Sequence, residues 1–186
     1  MRIILLTLAL LLQAACAINS YSPSLPADTQ TVRAVEMRGM LSFTYLTNER
    51  DGSDPLPQKP ETVRKILEQH SGYPSVIALS DPPAKGPHVN VTLSYGPPPS
   101  AWVYKAHQTF YLIPGYFNGI AYEVQFNIFA DNLLTRTYRH EIKLQAIGWI
   151  GLLPFVWINL FTTHFVEAFE ATVHQCVTEA ISDGVL

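Results

Sequence analysis

What the sequence lacks bounds it first. Cysteine is scarce, Cys16 and Cys176 alone and far apart, so no disulfide framework is available and stability must come from an apolar core. Charge is scarce too: Asp, Glu, Lys and Arg make up 15% of the 186 residues, against roughly 25% in an ordinary soluble domain. Basic residues are the minority, 12 against 15 acidic for a net charge of -3, and without a basic stripe nucleic acid is not an expected partner. No phosphate loop, dinucleotide fingerprint, G-x-S-x-G or C-x-x-C occurs, and no cofactor is expected. Apolar residues are abundant at 48%, so the chain offers apolar surface to something else.

The N-terminus has the three parts of a signal peptide: Met1-Arg2, an apolar run from Ile3 to Leu12, and the small-residue close Gln13-Ala14-Ala15-Cys16. The run is about ten residues, roughly 15 Å as a helix, half the roughly 30 Å of a hydrocarbon core, so removal fits better than permanent spanning. A cysteine directly after two small residues resembles the lipobox of bacterial lipoproteins, over residues 12–16. The resemblance implies that residues 1–16 are a signal, that Cys16 carries diacylglycerol and a further acyl chain, and that multiple chains hold the protein on a membrane. Ala17 after the cysteine implies the outer membrane. The small-x-small pattern Ala15-Cys16-Ala17 also fits cleavage after Ala17 in a soluble secreted protein. Residues 17–34 are rich in Ser and Pro and aperiodic, the composition of an extended tether.

The body, residues 35–186, is expected as one domain. Leu41, Phe43 and Tyr45 alternate with Ser42 and Thr44, the period of a half-buried strand. Pro60 opens and Gly72 closes an amphipathic helix over 60–71 carrying Val63, Ile66 and Leu67. Val76 to Leu79, and Val89, Val91, Leu93 and Tyr95 in alternation, read as strands. Residues 101–113 are ambiguous: Trp102, Ala106 and Phe110 would share a helix face, but the Thr109 to Ile113 end favours a strand. Tyr122 to Ile128 and Thr137 to Leu144 alternate about Asp131-Asn132, the strongest hairpin signal. Phe165, Phe169, Val173, Cys176 and Ala180 form the stripe of a C-terminal helix over 162–182. The expected fold is α+β: a mostly antiparallel sheet with the two helices packed on it.

Residues 146–161 are uncharged and apolar, short of the about 20 residues a spanning helix wants. Gly148, Gly151 and Pro154 suggest two short pieces joined by a bend. Three readings are open: a segment dipping into the bilayer, a transmembrane helix, or a buried core or oligomer-interface segment. A full crossing would place Arg136, Arg139 and Lys143 outside and leave no Lys or Arg inside, inverting the positive-inside bias. Trp149 and Trp157 are residues of the lipid-water interface and favour the dip, with Trp149, Leu152, Leu153, Phe155 and Trp157 as the membrane-contact residues.

For chemistry, His164, Glu167, Glu170 and His174 fall on one arc of the last helix; His164, Glu167 and His174 are the candidate metal ligands, against a solvated face opposite the phenylalanine stripe. No i, i+4 histidine pair of the strong helical zinc motif occurs. His140 and Glu141 point to opposite faces of a strand. Cys176 sits on the buried stripe as a packing residue. Tyr95, Trp102, Tyr104, Tyr111, Tyr116 and Tyr122 form an aromatic-rich centre. The expected protein is a membrane-anchored lipoprotein of the cell envelope, not an enzyme, with membrane lipid and other envelope proteins as partners. The alternative is a module that binds an apolar ligand in the aromatic centre; a metal-dependent enzyme built on the His and Glu face comes third.

Overall fold

A computed structural model of the chain describes residues 17–23, 39–48, 56, 57 and 59–186. The signal segment 1–16 with its Cys16, and residues 24–34 of the expected tether, lie outside the described residues. The elements run β1 (Ala17–Pro23), β2 (Met40–Asn48), α1 (Pro60–His70), β3 (Ser75–Ala78), β4 (Pro87–Tyr95), α2 (Ala101–Gln108), β5 (Gly115–Ala130), β6 (Leu133–Gly148), a 3-10 run (Ile150–Phe161) and α3 (Phe165–Ser182). The strands form one six-stranded sheet in the order β1-β6-β5-β4-β2-β3. The class is α+β, but the sheet is mixed rather than mostly antiparallel. β2 pairs parallel with both β3 and β4, and β4 pairs antiparallel with β5. Helix α1 is the reason: a crossover between β2 and β3 is what a parallel pair requires, and a hairpin turn cannot supply it.

The chain divides into two compact units, and the expected body 35–186 contributes to both. Of the described residues, one unit comprises 17–22, 97–120 and 143–165, and the other comprises residue 23 and those within 39–96, 121–142 and 166–186.

The second unit holds the larger core. On α1 the buried side chains are Val63, Ile66 and Leu67, as the helical period requires, with Pro60 at the start where no intrahelical N–H is lost. Phe43, Val89, Val91, Leu93, Val124, Phe126 and Ile142 supply the sheet's side of the core, and Phe169, Val173, Cys176, Val177 and Ala180 supply the stripe of α3. Tyr45 meets Phe169 edge to face at 6.3 Å. β2 is not half-buried: Ser42 and Thr44 are buried as well as Leu41 and Phe43. An interior strand of a parallel run is covered on both faces, and the two hydroxyls bind buried His88, Ser42 Oγ at 2.9 Å from its Nδ1 and Thr44 Oγ1 at 3.1 Å from its Nε2. The β5-β6 turn is Asp131-Asn132, with φ of 50° and 62°, the left-handed pair of a two-residue hairpin. Gly86 N–H donates to Asp131 Oδ1 at 2.9 Å, fixing the turn to the loop before β4.

The first unit departs further from expectation. Ala17–Pro23, read as the start of a tether, is a strand; its pairing comes from β6, a partner that composition cannot reveal. Residues 101–108 are a helix, not a strand. The break is at Thr109, whose Oγ1 donates back to the Lys105 and Ala106 carbonyls at 3.2 and 3.0 Å, and Ala106 is the buried anchor of its inner face. The stretch 146–161, expected as two short pieces joined by a bend, divides at Trp149. Its first three residues end β6, Trp149 is extended, and Ile150–Phe161 then runs as 3-10 turns that include Pro154. Proline's fixed φ near -65° lies within the 3-10 range.

Candidate functional site

The first unit has an unusual surface. Most exposed large apolar side chains among the described residues belong to it; Met40, Leu46, Leu133 and Leu134 belong to the second. In the 3-10 run Leu160 and Phe161 are 78% and 79% exposed, values that do not fit a buried core segment. Of the residues expected to touch lipid, Trp149, Phe155 and Trp157 are exposed and Leu152 and Leu153 half-exposed. The run has 12 residues, about 24 Å at the 3-10 rise of roughly 2.0 Å. No helix among the described residues is long and apolar enough to cross a membrane. The unit also contains no Asp or Glu at all, while Lys105 and Lys143 belong to it and are exposed.

Close packing supports this surface from below. A Cβ at Gly148 would overlap the Tyr111 ring, and one at Gly151 would meet the Trp149 ring at 2.6 Å. Only glycine admits the two rings this close to the backbone at these points. Tyr111 O accepts from Ile150 N–H at 2.9 Å, and Tyr111 N–H donates to Ala106 O at 2.8 Å. These bonds hold Phe110 and Tyr111 in the left-handed region, φ 50° and 56°, where a bulky residue is strained. Phe110 is nonetheless 63% exposed. The far end of the run is fastened by Asn159, whose Nδ2 donates to Ala17 O at 2.7 Å and whose Oδ1 accepts from Asn19 N–H at 3.0 Å. The sequence signal for Asn159 was present but unread: it is the sole amide between Ala146 and Phe161.

The second unit offers a polar groove of about 580 Å³ between α1 and α3, lined by Glu61, Lys65, His70, Glu167, Glu170 and His174 among others. The arc of α3 carrying Glu167, Glu170 and His174 therefore faces α1. Its partner His70 was not anticipated, although its position in the last turn of α1 put it within reach of a packed neighbour. The His70 and His174 rings meet at 4.4 Å, edge to face. Burial, and next the charge of His70, push the His174 pKa below its ordinary value. His164 precedes α3 and is exposed, and it does not line this groove. Among the described residues no group of three or more His, Cys, Asp or Glu is placed to hold a metal. His140 pairs with Glu179 of α3 at 3.1 Å rather than with Glu141, and Tyr138 donates to Asp183 Oδ2 at 2.8 Å. Burial pushes the Cys176 thiol well up, with Glu179 adding to it, so the sulfur stays protonated inside the core.

The aromatic-rich centre divides between units. Tyr95 and Tyr122 pair at 5.8 Å in the second; Trp102, Tyr104, Tyr111 and Tyr116 belong to the first, Trp102 donating from Nε1 to Pro114 O at 3.0 Å. No family model, curated protein or solved structure matches the chain.

Proposed function

We propose that the protein is a lipoprotein of the cell envelope, attached through Cys16 and facing the periplasm from the outer membrane, whose first unit rests on the bilayer, with membrane lipid and other envelope proteins as its partners. The observation that carries this reading is the concentration of exposed aromatic and aliphatic side chains in a unit without a single carboxylate. Large apolar side chains exposed in such number call for a cover in an aqueous compartment. A bilayer supplies one: aromatic residues suit its interface, lysines suit anionic headgroups, and carboxylates would be repelled by them. The strained, exposed Phe110 points the same way, since backbone strain of order 1–3 kcal/mol is retained for an aromatic that the core does not use. The role is one of contact rather than catalysis.

The test is the full chain expressed with its own signal, beside Cys16→Ala. Mass spectrometry of the mature N-terminus is expected to show acyl mass on Cys16, and the Cys16→Ala protein is expected still to float with phospholipid vesicles. A mature chain beginning at Ile18 without acyl mass, soluble and monodisperse in the presence of vesicles, would overturn the reading.

A further inference from the structure

The expected tether between Cys16 and the folded body is not what the structure places there: β1 starts at Ala17, the next residue. Its first carbonyl is gripped by the apolar run, because Asn159 uses both ends of its amide on β1, donating to Ala17 O and accepting from Asn19 N–H. Two further contacts follow along the strand. Tyr21 N–H donates to Thr163 O at 3.0 Å, and the Tyr21 ring meets Phe165 edge to face at 6.0 Å. The C-terminal end of Ile150–Phe161 is thus fastened to the strand that begins one residue after Cys16 in the sequence.

We propose that the acyl chains of Cys16 and the run Ile150–Phe161 enter the same bilayer leaflet as one anchor, with Asn159 as the positioning residue that holds the run at the attachment point. This rests on the membrane-lipoprotein reading and specifies the occupant of the apolar surface: the leaflet that receives the acyl chains. The argument is one of chain length and charge. One peptide unit, about 3.8 Å between Cα atoms, separates Cys16 from β1, whereas a tether of 17–34 would have let the domain stand well off the surface. The unit so held has no carboxylate to be repelled and exposes Lys105 and Lys143. At about 24 Å the run falls short of the roughly 30 Å core and lies in the interface, where its Trp149 and Trp157 belong. Its 3-10 bonds meet the demand for satisfied backbone groups in an apolar medium. Once the acyl chains insert, the run binds intramolecularly at high effective concentration.

The experiment uses the full chain with Trp102→Phe and Trp149→Phe, leaving Trp157 as the one fluorophore of its kind. It is reconstituted in phosphatidylethanolamine–phosphatidylglycerol vesicles whose acyl chains are brominated. Strong quenching of Trp157 is expected. Asn159→Ala and Asn159→Asp in the same background are expected to at least halve it, with acyl mass, floated fraction and circular dichroism unchanged. Should Asn159→Ala not fold, Asn159→Asp decides, because it keeps an oxygen for Asn19 N–H and loses only the donor to Ala17. A floating, acylated chain whose Trp157 is unquenched, or quenched equally with and without Asn159, overturns the coupling and leaves the lipoprotein reading intact. A chain without acyl mass that fails to float overturns both.

Discussion

Phe110 sets a local conflict between stability and surface. Its φ of 50° places a bulky side chain where the left-handed conformation costs about 1–2 kcal/mol, and its ring is mostly exposed, so little packing offsets that cost. Asn tolerates this conformation. Phe110→Asn is therefore expected to raise the unfolding free energy by about 1 kcal/mol while weakening vesicle binding, read by urea denaturation and by flotation. A fall in stability would mean that the ring packs within the fold after all. Gly148 makes the opposite case: any Cβ overlaps the Tyr111 ring, and with the Tyr111 main chain held by Ala106 and Ile150, either the ring must leave its place by turning about its own side-chain bonds or the Gly148 backbone must shift. Gly148→Ala is expected to destabilise by about 1–3 kcal/mol in the same denaturation assay, and a neutral result would show that the ring moves freely.

Among the elements, α1 against α3 carries a pH dependence. His174 in the folded protein has a pKa below its ordinary value of 6.5, from burial first and His70 second, and His88 is lowered by burial. Between the lowered value and 6.5 the unfolded chain holds more protons than the folded one, so stability rises with pH there. It is fully present above about 6.5 and is lost as pH falls through the folded values. Urea midpoints between pH 7.5 and 5 are expected to show that loss, and His174→Gln to flatten it; an unchanged slope would put the dependence on other groups, of which Glu61, Lys65, His70, Glu167 and Glu170 share the groove. At the alkaline end Tyr45 is pushed up to about 12 by burial, and Tyr138 to about 12 by burial and then by Asp183. Their contribution is present below 10 and lost as pH rises toward 12.

The same elements show what could be read beforehand. Helix α1 and the β5-β6 hairpin were legible because their signals are local: a 3.6-residue period opened by Pro60, and alternation about Asp131-Asn132. Helix α2 was not, because it has eight residues and only Ala106 buried, too little pattern to outweigh the strand-like Thr109 to Ile113. Strand β1 was illegible in principle, since its partners, β6 and Asn159, lie more than a hundred residues away. Parallel pairing of β2 was hidden as well: alternation has the same period in either direction, and only the crossover decides. In the candidate site, Trp149 and Trp157 could be picked out by composition, whereas the Asn159 grip and the Phe110 strain are products of tertiary contact.

At the scale of the whole molecule, apolar surface and charge are sorted between the two units, and the sorting predicts which force dominates attachment. All the carboxylates lie in the second unit, and in the first the described cations are Lys105 and Lys143. A lysine near an anionic surface contributes about 1 kcal/mol, screened by salt, whereas full burial of a Leu or Phe side chain contributes about 1.5–3 kcal/mol and is not screened. Leu160 and Phe161 are so exposed that replacing them should leave folding stability within about 0.5 kcal/mol. In the Cys16→Ala background, where acyl chains no longer mask the surface, Leu160→Ser with Phe161→Ser is therefore expected to weaken vesicle binding more than Lys105→Gln with Lys143→Gln. Raising salt should weaken binding to anionic vesicles modestly and leave binding to zwitterionic vesicles unchanged. Co-sedimentation across lipid composition and ionic strength reads both. If the lysine pair mattered more, or if high salt released the protein completely, attachment would be electrostatic, and the exposed apolar run would need a protein rather than a leaflet as its cover.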